Sequence, residues 1–285
     1  MQNIHAKAML VDLNISQWTG RKIDRRATQQ VAQMNGVDVR VGTYYKSLLD
    51  GKELEPIKQL VGAARNYHYR MTLPWSDAGP RILSSQLYFE YMGEMQLYRS
   101  RFDSLYQDFE QRYALARAEA QRTLGPLFNE DDYPTLGALA SKFSFELNVL
   151  PLPVADDFRV DLGDDEVERL KKRIEESTKA SLAGAVSDMC QRLTQVVDAF
   201  IDRLGKEENI FRDSLVENAR QLASLLPKLN VTDDPRIEEL CRKLEDKLCQ
   251  YEPQTLRDNP ATRKATWKAA KELKSDLLDF FGTPA

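Results

Sequence analysis

Apolar residues recur every three or four positions along two long stretches, and this periodicity constrains the fold more than any other feature of the chain. Met95, Tyr98, Phe102, Leu105, Phe109, Tyr113, Ala116, Ala120 and Leu124 make the first stripe. Val167, Leu170, Ile174, Thr178, Leu182, Val186, Met189, Leu193, Val197, Phe200 and Leu204 make the second. Only an α-helix gathers such spacing on one side. At 1.5 Å per residue, a helix over 90–124 is about 50 Å long. The second run reaches coiled-coil length, and Asp165 with Glu168 has the spacing of a capping box at its start.

Before the first stripe the pattern is mixed. Met9, Val11, Leu13 and Ile15 alternate with Leu10, Asp12 and Asn14, the period of a strand. Arg21 to Met34 reads as a helix stopped by Asn35-Gly36, and Val37, Val39 and Val41 alternate as a second strand. A helix from about Pro56 to Arg70 follows, and Thr72 to Pro80 forms a break before the run Ile82–Phe89. Residues 127–162 are irregular, with a short helix near Leu136–Lys142 and extended segments over Phe143–Leu152 and Phe158–Leu162. After Leu162 the pattern is helical only: one long helix, another over about 207–226, and two more opened by Asp234-Pro235 and Asn259-Pro260. The predicted fold is mostly α: an α+β part over 1–162 carrying the long helix 90–124, then an all-helical bundle or long hairpin over 163–285. The three downstream helices carry stripes matching the second one, so they are expected to cover it. Self-association through it, giving a homo-oligomer, is the alternative.

Composition narrows the setting. Three cysteines (Cys190, Cys241, Cys249) make neither a CxxC pair nor an even disulfide set, which fits a reducing compartment. The start MQNIHAKAMLVDL lacks the apolar core of a signal peptide, and no window approaches the ~18 apolar residues of a membrane span. A cytoplasmic protein that enters no membrane is expected. His5 and His68 are the two histidines, so no HExxH or multi-histidine metal site is available. GxxxxGK[ST], GxGxxG and GxSxG are missing as well. No catalytic residue, cofactor or metal is assigned. Carboxylates cluster at Glu130-Asp131-Asp132, Asp156-Asp157, Asp161 and Asp164-Asp165-Glu166. Such groups hold magnesium when they converge, but acidic residues also favour loops and helix starts, and that is the commoner cause.

Charge is unevenly distributed. The net charge is −4 for 285 residues, yet residues 1–102 hold 14 Lys+Arg against 9 Asp+Glu. In this basic third, cations interleave with aromatics: Trp18, Arg21, Lys22, Arg25, Arg26; then Tyr67 and Arg70; then Trp75 and Arg81. Aromatic faces stack on bases while Arg and Lys meet phosphates, so this interleaving suits single-stranded nucleic acid. The same residues also make ordinary core and cation-π contacts.

Four segments carry a resemblance: Val11-Asp-Leu-Asn-Ile-Ser-Gln-Trp-Thr-Gly-Arg-Lys22, Thr72-Leu-Pro-Trp-Ser-Asp-Ala-Gly-Pro-Arg81, Phe128-Asn-Glu-Asp-Asp-Tyr-Pro134 and Phe158-Arg-Val-Asp-Leu-Gly163. They resemble a tailed-bacteriophage protein family over residues 9–175. Genes of that family lie near those for a MoxR-type AAA ATPase and a cobaltochelatase-like protein with a von Willebrand factor A domain. The resemblance brings no catalytic residues. It implies a phage-encoded protein in the cytoplasm of an infected bacterium, with a phage or host protein as partner and the AAA ATPase foremost. The expected function is therefore a non-enzymatic interaction protein. The alternative is a single-stranded nucleic-acid binder for replication or strand annealing.

Overall fold

The computed structural model describes residues 4–155, 163–206 and 208–281. In chain order, α1 (Ile4–Lys7) leads into β1 (Ala8–Ser16), β2 (Arg21–Ile23), α2 (Arg25–Met34) and β3 (Tyr45–Ser47). Next come α3 (Glu55–Met71), β4 (Leu73–Pro74), β5 (Arg81–Ser84), α4 (Tyr88–Leu124), α5 (Leu136–Ala140) and β6 (Ser144–Leu150). The remainder is helical: α6 (Asp164–Leu204), α7 (Ser214–Leu229), α8 (Pro235–Leu248), α9 (Pro253–Asp258) and α10 (Pro260–Phe281). The fold is mostly α, with its strands in the N-terminal part and a helical C-terminal part, as the periodicity predicts. The described residues form two compact units, unit 1 from Met1–Asp12, Tyr69–Tyr91 and Asn148–Ala285, and unit 2 from Leu13–His68 and Met92–Leu147. The expected boundary at Leu162 and the extended segment Phe158–Leu162 lie outside the described residues. No described helix is long and apolar enough to cross a membrane.

In unit 1, β1 pairs antiparallel with β5 (Ala8↔Ser84 to Val11↔Arg81), and β5 pairs with β4 (Leu73↔Ile82). Leu10 and Val11 are both buried, so the first half of β1 is covered on two faces, beyond the one-faced burial its alternation predicts. Helices α6, α7, α8 and α10 pack on one another. From Met189 onward the second stripe is buried through Leu193, Val197, Phe200 and Leu204, while Val186 is half-buried beside the buried Ala185. Its earlier members Val167, Leu170, Ile174 and Leu182 are half-buried. Two arginines close the unit by donating to backbone carbonyls. Arg192 reaches Tyr69 O at 3.0 Å, Arg70 O at 2.8 Å and Thr72 O at 2.7 Å, capping the C-terminal end of α3. Arg263 does the same for the end of α6.

In unit 2 the first stripe lies on α4, a 37-residue helix. Phe102, Phe109, Tyr113 and Ala120 are buried along it. An aromatic cluster forms there: Phe109 sits 6.4 Å from Trp18 and 5.9 Å from Phe143, and Phe102 is 5.8 Å from Phe145. Such ring pairs add about 0.5–1.5 kcal/mol each beyond area burial.

Local chemistry corrects several expected boundaries. The run Arg21–Met34 is a strand followed by a helix, because Asp24 is an N-cap whose carboxylate accepts from Ala27 N at 2.9 Å. Val37, Val39 and Val41 do not form a strand. Val39–Val41 is a 3-10 turn capped by Asp38, and the partner of β2 is β3, in register Arg21↔Ser47, Lys22↔Lys46 and Ile23↔Tyr45. After the break at Thr72–Pro80, β5 runs only from Arg81 to Ser84, where the Ser84 hydroxyl caps a 3-10 turn that feeds α4. Asp165 is not a cap: α6 starts at Asp164 behind Gly163, whose φ of 82° suits glycine. Asp164, Asp165 and Glu166 occupy the first turn, where they complement the helix dipole. The helix expected from about 207 starts at Ser214, since the preceding loop is held by Arg257 and Arg263 through its carbonyls.

Candidate anion-binding groove

Four of the cations singled out in the sequence meet in unit 2. Arg21 and Lys22 come from β2, Arg25 and Arg26 from the first turn of α2, and Lys46 from β3. They line a groove of about 1060 Å³ closed on its other side by Leu127, Phe128, Asn129 and Asp132. Asp24 makes this convergence possible, because by capping α2 it turns the chain between Ile23 and Arg25.

The floor of the groove is electrically satisfied. The Lys46 ammonium is buried, lies 2.6 Å from Asp132 Oδ2 and 3.8 Å from Asp24 Oδ2, and donates to Leu127 O at 2.8 Å. Lys22 donates to Asp132 Oδ1 at 2.5 Å. Burial alone would raise the Asp132 carboxyl, but the hydrogen bonds from Lys22 and Lys46 outweigh it and hold the group below the usual carboxylate range. The rim differs. Arg21, Arg25 and Arg26 are exposed and make no ion pair or hydrogen bond among the described residues. Five cations against Asp24 and Asp132 leave the groove at +3. Tyr45 stands in it 58% exposed, and Tyr44 beside it 41% exposed.

The other residues singled out by the sequence go elsewhere. Trp18 packs 5.9 Å from Tyr113 and lines a separate cavity of about 520 Å³ with Tyr45, Leu49 and Leu54. Tyr67 is buried with its ring 5.9 Å from that of Tyr98, which removes its face from any base. Arg70, Trp75 and Arg81 belong to unit 1. Trp75 is half-buried there, and Arg81 stacks 5.0 Å over Tyr69 while donating to Thr72 Oγ1 at 2.8 Å. Arg70 and Arg81 line a groove of about 830 Å³ with Asp188 and Arg192. Among the acidic clusters, Glu130 pairs with Arg117 at 2.8 Å and Asp132 faces its two lysines, whereas Asp156, Asp157 and Asp161 lie outside the described residues. Among the described residues no group of three or more His, Cys, Asp or Glu is placed to hold a metal ion.

Sequence reasoning missed Asn129 and Asp132 as groove residues. Lys22 and Lys46 are directly opposite each other in the β2–β3 ribbon, which places both ammonium groups on one face, over the Asp132 carboxylate. No family model, curated protein or solved structure matches the chain.

Proposed function

We propose that the chain is a non-enzymatic nucleic-acid-binding protein whose contact surface is the basic groove of unit 2. One observation carries this reading: Arg21, Arg25 and Arg26 stand unpaired around an exposed tyrosine. Two of them occupy the first turn of a helix, where the dipole favours acidic residues and disfavours cations. Unpaired like charges at that end lower the stability of the free protein, and a polyanion relieves the cost. Guanidinium groups on phosphates and Tyr45 against a base or sugar is the chemistry that fits.

The test is oligonucleotide binding as a function of salt. Three arginines on phosphates predict a slope of log K on log salt of about −2.7, an affinity loss of roughly 40-fold between about 50 and 200 mM. Replacing Arg21, Arg25 and Arg26 with Ala together should abolish most of the binding. Affinity unchanged by that triple substitution would remove the reading.

A protein partner is the second reading, favoured by the exposed aliphatic side chains that follow the groove in sequence. Met34 is 87% exposed and Val41 72%, with Val31, Val37 and Val39 also open. Contiguous apolar exposure of this kind marks protein interfaces. The partner class to try first is the AAA ATPase that the phage resemblance implies, in the cytoplasm of infected cells. Co-purification at stoichiometric ratio, lost when Met34 and Val41 become Asp, would support it.

A further inference from the structure

The outward face of α2 differs from the solvated faces of α6 and α8. Along α6 and α8 the exposed side chains mix the two signs, as in Glu168, Arg169, Lys172 and Glu175, or Glu238, Glu239, Arg242 and Glu245. Helix α2 has no acidic residue at all. At 100° per residue, Arg25, Gln29, Gln33, Arg26 and Gln30 fall within one arc of about 140°, opposite Ala27, Val31 and Thr28, with the buried Ala32 bordering it beside Arg25. All five are exposed. The three glutamine amides make no hydrogen bond among the described residues. The inner face is fixed, because Thr28 Oγ1 donates to Asp24 O at 2.7 Å and accepts from Tyr44 N at 3.0 Å. A rigid ten-residue helix about 15 Å long therefore presents cations at one end and a row of free amides beyond them.

Resting on the nucleic-acid reading above, we infer that α2 is a reading helix for duplex DNA, entering the major groove with Gln29, Gln30 and Gln33 at base edges. The major groove of B-form DNA admits one α-helix, and the glutamine amide matches the donor and acceptor of adenine at N6 and N7. The arginines at the N-terminal end hold flanking phosphates and set the register. An A-form duplex has too narrow a major groove for a helix, so duplex RNA is excluded as the ligand. A single strand has no use for a rigid row of amides.

The experiment is selection of bound sequences from a random-sequence DNA duplex pool by the full chain. The enriched duplex is then compared with a scrambled duplex, its separated strand, the matching RNA duplex and polyglutamate. An adenine-containing motif should emerge. Replacing Gln29, Gln30 and Gln33 with Ala should lower the preference for the enriched over the scrambled duplex at least about fivefold. Binding to the scrambled duplex should stay the same, as should the circular dichroism of the variant. If no motif is enriched, or if the single strand or the RNA duplex binds better, the reading-helix assignment falls while nucleic-acid binding stands. If polyglutamate binds and no nucleic acid does, both fall and an acidic protein is the ligand.

Discussion

Replacing Arg263 with Met should cost unit 1 about 4 kcal/mol. The side chain is 7% exposed and sits in the first turn of α10. Its Nη2 donates to Arg203 O at 2.8 Å, Lys206 O at 2.5 Å and Asn209 O at 2.9 Å, and its Nε to Leu204 O at 3.3 Å. The guanidinium also lies 5.5 Å from the Phe211 ring. Hydrogen bonds to a charged donor contribute about 1.5–3 kcal/mol each. Three acceptors share the two hydrogens of Nη2, so two full bonds are the proper count there, about 3–6 kcal/mol. A cation at the α6 C-terminus adds about 0.5–1 kcal/mol through the dipole. Methionine returns part of this by burying its thioether.

Arg257 is the control. It also stacks on Phe211, 5.0 Å from the ring centroid, donates to Phe211 O at 3.1 Å and pairs with Asp213, but its side chain is 31% exposed. Arg257→Met should therefore cost only about 1 kcal/mol. Amide hydrogen exchange in denaturant, read separately over 200–213 and 260–281, measures both without assuming that the two units unfold together. A loss below about 1 kcal/mol for Arg263→Met, or equal losses for the two variants, would refute the carbonyl-clamp reasoning.

Three further outcomes follow from the packing. Gly205→Ala places a Cβ 2.8 Å from Ile201 O and 3.1 Å from Trp267 Nε1, so a loss of about 1–3 kcal/mol and a changed Trp267 emission are expected. Burial pushes the thiols of Cys190 and Cys241 up to about 12 and that of Cys249 to about 11, so iodoacetamide at pH 8 should label none of them until the chain is unfolded. Because the folded Asp132 carboxyl lies below its unfolded value of about 3.9, its contribution is complete above about pH 4 and lost as the pH falls through the folded value. Urea midpoints of wild type and Asp132→Asn should accordingly converge in acid, whereas parallel curves would contradict the linkage.

The long helices were legible because a three-four stripe repeated over nine or more members has no competing explanation. The ribbon β2–β3 was not. Each strand has three residues, too few for a period, and its register depends on Asp132, whose 110-residue separation from Lys22 no local pattern encodes. Val37, Val39 and Val41 show the converse failure: alternation without a covering layer is no strand, and Asp38 bonding Arg40 N at 2.8 Å makes a turn instead. Arg192 and Arg263 read as surface cations in sequence, yet both donate to helix-end carbonyls that become partners only in the folded chain. The groove was half legible for the same reason. Arg21, Lys22, Arg25 and Arg26 lie within six residues, but whether each stays available depends on distant acids, and Lys22 does not.

Asp132 consequently serves two opposed ends, and its removal separates them. It stabilises unit 2 by satisfying Lys22 and a buried Lys46, and by the same contacts it cancels charge that an anionic ligand would otherwise feel. Breaking a buried pair on one side costs about 3–5 kcal/mol. Asp132→Asn should therefore lower the stability of unit 2 at neutral pH. It also leaves the groove with five cations against Asp24 alone, +4 in place of +3. A unit charge ~6 Å from a phosphate in a water-like dielectric is worth about 0.7 kcal/mol, roughly a threefold gain in affinity. Oligonucleotide binding measured well below the unfolding midpoint should then tighten while stability falls, and the salt slope should steepen by about 0.9 if the released lysine meets a phosphate. A variant that loses affinity in step with stability would place the ligand on residues whose position depends on the Lys46 pair rather than on the charge of the rim.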